Sequence, residues 1–128
     1  SQVANEIDAF VAQKWAEKGL KPTGPADRRA LIRRAYFDLT GLPPSPEAVE
    51  AFVADKSPDA FAKVIEQLLA SPHYGEKWAR HWLDVARYAE DQAHTFGVKP
   101  KSQAWRYRDW VIAALNADMP YDRFVKLQ

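Results

Sequence analysis

The stretch Ser71–Asp91, SPHYGEKWARHWLDVARYAED, carries the densest set of side chains able to do acid–base or ligand chemistry. On a helix advancing about 100° per residue, His81 and Asp84 sit about 60° apart, and Arg87 and Tyr88 follow within two turns. His81 with Asp84 has the makings of an acid–base pair or of metal ligands, and Arg87 with Tyr88 could hold an anionic group. The same spacing also builds a ladder of intrahelical ion pairs, Arg80–Asp84, Asp84–Arg87 and Arg87–Asp91, each worth ~0.2–0.5 kcal/mol. Helix geometry alone makes these side chains neighbours. The expected arrangement is therefore a structural polar cluster, completed by the chain near Arg106 and Asp109.

Two further groups of residues invite chemistry. Glu90, Asp91 and His94 supply oxygen and nitrogen donors for a metal, but their spacing matches no template such as H-E-x-x-H, and a solvated loop is the expected reading. Trp105-Arg106-Tyr107-Arg108-Asp109-Trp110 interleaves cations with aromatics, as a stacking surface for single-stranded nucleic acid or sugar would. Helical phasing sends Tyr107 and Trp110 inward instead and leaves Arg106 and Asp109 to pair outside. Arg28, Arg29, Arg33 and Arg34 form a basic cluster offset by Asp27 and Asp38. With a net charge of only +1, no nucleic-acid partner is expected. Nucleophile elbows, phosphate loops and dinucleotide fingerprints are absent from the sequence.

Helices must position all of these groups, because apolar residues recur at helical spacing and strand alternation is missing. The first helix is expected over 4–18, with Ile7, Phe10, Val11 and Trp15 on one face and Gly19 as its cap. Asp27 caps a second helix that reaches about Leu39 and ends at Gly41. Ser45-Pro46, Ser57-Pro58 and Ser71-Pro72 then read as helix starts: the hydroxyl accepts an orphan amide, and proline takes the first helical position, where its missing donor costs nothing. They predict helices near 46–54, 58–70 and 72–90. Another helix spans about 103–117, and Pro120 opens the last. Trp78, Trp82, Val85 and Ala89 form the expected buried stripe of the 72–90 helix. Trp78 and Trp82 are expected to pack against Tyr107 and Trp110.

The chain thus reads as all-α: one compact, bundle-like domain over residues 1–128, with about six or seven helices and no sheet. Lacking Cys, it has no disulfide, thiolate metal site or covalent c-type haem attachment. No apolar run approaches the ~20 residues of a membrane span, and this segment lacks a signal-peptide core. Phe124-Val125-Lys126-Leu127-Gln128 reads as a helix cut in mid-run, so a fragment of a longer protein is expected.

Three blocks in order, DRRALIRRAYFDLTGLPPSPEAVEAF, LLASPHYGEKWARHWLDVARYAE and WRYRDWVIAALNADMPYDRFVKLQ, resemble the planctomycete cytochrome c-associated domain of unknown function, the second domain named in that set. The similarity runs from about Ile7 to Gln128. It implies a large exported bacterial protein, extracytoplasmic in the periplasm or cell envelope, with haem c in a separate upstream domain and no cofactor in this segment. Its partners would be other domains of the same polypeptide or envelope proteins. The resemblance transfers no site residue. The function it favours is a non-catalytic helical scaffold or docking module. The alternative is part of an extracytoplasmic, polysaccharide-directed enzyme built around His81, Asp84 and Arg87.

Overall fold

Capping chemistry sets the helix boundaries among residues 5–90 and 101–128, which this computed structural model describes. Asn5 accepts from the Asp8 amide at 2.9 Å and opens α1 (Glu6–Glu17). Asp27 accepts from the Ala30 amide at 2.9 Å and opens α2 (Arg28–Thr40), which Gly41 closes in the left-handed region at φ 73°. Ser45 and Ser71 open α3 (Pro46–Ala54) and α5 (Pro72–Val85), accepting from the Ala48 and His73 amides at 3.2 and 3.3 Å. The middle serine behaves differently. The Ser57 amide donates to Asp55 Oδ1 at 2.8 Å, so a turn led by Asp55 takes it up, and α4 (Ala60–Leu69) starts at Ala60 rather than Pro58. α6 (Trp105–Asn116) and α7 (Tyr121–Lys126) complete seven helices, with no strand among the described residues. None of these helices is long and apolar enough to cross a membrane.

The helices build two cores. Ile32, Phe52 and Ala60 join α2, α3 and α4, with Leu31, Tyr36, Val49 and Val64 around them. Arg28 locks this half: its guanidinium lies 4.0 Å from the Phe52 ring centroid and donates to the Asp55 carbonyl at 2.7 Å. Arg29 adds a two-pronged pair to Glu50 at 2.8 and 3.1 Å, which holds that carboxyl below its ordinary pKa. Ala79, Leu83, Val111, Ala114 and Phe124 form the second core, between α5, α6 and α7. α2 packs on α5 and ties the halves together, and the Lys77 ammonium donates to the Phe37 carbonyl at 2.8 Å at the negative end of α2.

The face of α5 that is buried differs from the expected stripe. Gly75, Ala79 and Leu83 point inward, with Trp82 partly covered, whereas Trp78 is 39% exposed and Val85 74% exposed. The reason is steric. A Cβ built on Gly75 would lie 2.6 Å from the Ile112 carbonyl oxygen and from Asn116 Cγ and Oδ1. The two helices approach too closely for a large side chain, so small residues occupy the contact and Trp78 turns outward. The Asn116 amide exploits this proximity: Oδ1 accepts from the Gly75 amide at 2.8 Å and Nδ2 donates to the Pro72 carbonyl at 3.0 Å. One side chain of α6 thereby satisfies an orphan donor in the first turn of α5. Tyr107 and Trp110 pack partly buried against this core, as their phasing requires.

α5 also stops short of residue 90. Arg87 adopts φ 53° and its amide donates to the Asp84 carbonyl, while the Tyr88 amide reaches back to Leu83 at 2.9 Å. α1 ends the same way through Gly19 at φ 64° and Leu20, and α6 through Asp118 at φ 47° and Met119. Only α1 uses the glycine this turn prefers.

Gly75→Ala should destabilise the protein by about 1–3 kcal/mol, the cost of overpacking, although the same change in an open helix would gain about 1 kcal/mol. A urea-denaturation midpoint that rises would refute the close approach. Arg87→Gly should do the reverse, raising the midpoint through a gain in stability of up to about 1 kcal/mol as the left-handed residue loses its Cβ penalty. A lowered midpoint would show that the Arg87 side chain contributes more than its backbone strain costs.

Candidate functional site

Several candidate residues line an open groove of about 580 Å³ between the end of α2 and one side of α5. Thr40, Gly41 and Leu42 form one wall, and Glu76, Lys77, Arg80, His81 and Asp84 form the other. Thr40 is buried and donates from its hydroxyl to the Tyr36 carbonyl at 2.8 Å, which fixes the turn that shapes the wall. Lys77 lies along the floor, its stem against the place a Gly41 Cβ would take. Helical spacing brings the five α5 side chains to one side, since 76, 77, 80, 81 and 84 fall within about 140° of the helix circumference.

This geometry divides the four residues expected to form one cluster. His81 and Asp84 share the groove. Arg87 sits in the left-handed turn beyond the helix and is exposed. Tyr88 folds back onto the α5–α6 core, its ring 6.0 Å from that of Tyr107, and donates to Glu90 Oε1 at 2.8 Å. Partial burial first, and then this hydrogen bond, raise the Tyr88 phenol above its ordinary pKa. The break at Arg87 causes the division, because residues beyond Val85 no longer keep helical phase.

Two rungs of the expected ion-pair ladder do not form. Among the described residues, no ion pair joins Arg80 to Asp84 or Asp84 to Arg87, and Asp91 lies outside them. The nearest groups make other partners: Glu76 binds the His73 ring at 2.7 Å, and His81 packs its imidazole 5.3 Å from the Trp78 ring. Arg106 and Asp109 are not a pair either. Arg106 lies over the Trp105 ring at 5.7 Å, and Asp109 accepts from Arg108 at 2.9 Å. The four-arginine cluster is likewise dispersed, with Arg28 and Arg29 engaged as above and Arg33 over the Phe37 ring at 4.7 Å.

Of the proposed metal donors, Glu90 is engaged: its carboxylate binds Arg108 and Tyr88, and its carbonyl accepts from the Lys101 amide at 3.2 Å. Asp91 and His94 lie outside the described residues. Among those described, no three His, Asp or Glu side chains are placed to share a metal. Two features escaped the sequence reading. The Thr40-Gly41-Leu42 wall carries no motif, and its only signal was the helix-ending glycine. The other is α1, whose apolar face has no buried residue at all.

No curated protein and no solved structure matches the chain. A family model does, from the first residue of α1 through α7 and beyond, over residues 6–128: the chain belongs to the PSCyt2 family, proteins of unknown function (DUF1549).

Proposed function

We propose that this chain is a non-catalytic helical docking module of a larger extracytoplasmic bacterial protein, seated against another domain of the same polypeptide and beside a cytochrome c electron-transfer domain. The exposed apolar stripe of α1 carries this reading. Ile7 and Phe10 are 73% and 70% exposed, Val11 and Trp15 share their face, and Leu20 follows in the C-terminal turn. Apolar surface left in water forgoes about 25 cal/mol per Å², and a continuous stripe of this kind marks an interaction site. The resemblance to a multidomain exported protein makes a neighbouring domain the fitting occupant, because a tethered partner binds at high effective concentration even through a modest surface.

Hydrogen exchange tests this. Amides of α1 should exchange about tenfold or more slowly in the longer polypeptide than in residues 1–128 alone, and Ile7→Glu with Phe10→Glu should remove that protection. Equal exchange in both contexts would rule out docking through α1.

A second reading, part of an extracytoplasmic enzyme directed at polysaccharide, draws support from His81 and Asp84 meeting in the groove. It requires that His81→Ala or Asp84→Ala lower activity more than about 100-fold at an unchanged unfolding midpoint. Activity falling only as far as folding does would leave the docking module as the function.

A further inference from the structure

The groove between α2 and α5 brings together three polar side chains that no described residue engages. These are Arg80, His81 and Asp84, whose side chains make no hydrogen bond or ion pair with any described residue. Two of its other charged groups are engaged, Glu76 with His73 and Lys77 with the Phe37 carbonyl, as are Arg29 with Glu50, Lys63 with Asp59 and Arg108 with Glu90 outside it. The charges lining it cancel, Lys77 and Arg80 against Glu76 and Asp84. A simple anion would meet two carboxylates and the negative end of α2, and a simple cation would meet an ammonium and a guanidinium. What the lining does match is a neutral molecule dense in hydroxyls, each able both to donate and to accept.

Beside this polar lining lies an aromatic platform. Trp78 presents its ring to solvent, flanked by Tyr74 at 6.0 Å and by His81, which also lines the groove, at 5.3 Å. Its indole N–H donates to no described residue, whereas Trp82 and Trp105 spend theirs on Tyr107 and on the Ser102 carbonyl. The apolar face of a pyranose ring stacks on such an indole while its edge hydroxyls reach donors and acceptors alongside. Trp78 and Arg80 point to different sides of α5, so one ring cannot touch both. The volume, about 580 Å³, lies within the ~300–1,000 Å³ of small-molecule sites.

We infer that the α2–α5 groove and Trp78 bind a neutral oligosaccharide chain, one sugar stacked on Trp78 and the next hydrogen-bonded between Asp84, Lys77 and Arg80. This deepens the second reading by naming the ligand of the same groove, yet it asks only for binding and stands apart from docking through α1.

The experiment is titration of residues 1–128 with cellohexaose, xylohexaose, laminarihexaose and chitohexaose, read by calorimetry, with tetragalacturonate as the anionic comparison. At least one neutral chain should bind saturably, and more tightly than tetragalacturonate. Trp78→Ala should weaken that binding more than about tenfold, the scale of losing an aromatic stacking platform. Trp78→Phe should restore most of it, and Asp84→Asn should weaken it with the unfolding midpoint unchanged. Trp105→Ala, on a tryptophan away from the groove, should leave it intact. Binding by none of the neutral chains would overturn the inference, as would binding that Trp78→Ala and Asp84→Asn both leave within about twofold. Saturable binding in residues 1–128 supports the inference whether or not the longer polypeptide turns the chain over, whereas the enzymatic reading falls if the longer polypeptide binds the chain without cleaving it, so the two fail separately.

Discussion

The approach of α5 to α6 at Gly75 governs the arrangement of everything C-terminal to Ser71. Backbone meets backbone there: the Ile112 carbonyl and the Asn116 side chain occupy the space that any larger residue would need. Close contact fixes the rotation of α5, which sends Ala79 and Leu83 into the core and, on the opposite flank, Trp78 and His81 to solvent. Asn116 adds direction to what would otherwise be a smooth apolar contact. Its amide bonds the first turn of α5 at two points, so the helices cannot slide past one another without exposing an unsatisfied donor. The groove and its polar lining are downstream of that constraint, since rotating α5 by one residue would turn Asp84 or His81 away from Gly41.

The joint between the two cores is of another kind. α2 meets α5 through the Lys77 stem and its ammonium, which caps a carbonyl at the end of α2. Lysine in this place covers apolar surface with its methylenes and neutralises the helix terminus with its head.

Most of the helix plan was legible in the residues, because caps are local chemistry. Asp27, Ser45, Ser71 and Gly41 act as their types dictate. Ser57 does not, because Asp55, two positions earlier, competes for the same turn. The burial of α5 was misjudged for a tertiary reason: hydropathy weights Trp78 above Gly75, whereas a close helix crossing selects the smallest residue. The end of α5 was hidden because Arg87 occupies a left-handed position that sequence rules reserve for Gly or Asn. Of the candidate site, His81 and Asp84 were found from their chemistry. Their separation from Tyr88 followed from that one backbone angle, and the opposing wall came from a helix some forty residues away, which periodicity within one segment cannot reveal.

Each of the two cores is drawn from an uninterrupted stretch of chain, α2 to α4 for one and α5 to α7 for the other. The contacts that build each core stay within its own stretch, so neither core waits for chain that belongs to the other. Such a molecule can assemble in the order in which it is made. The α2–α4 half has its full set of core residues once Leu69 has left the ribosome, and α5 then finds α2 already formed as a template for Lys77.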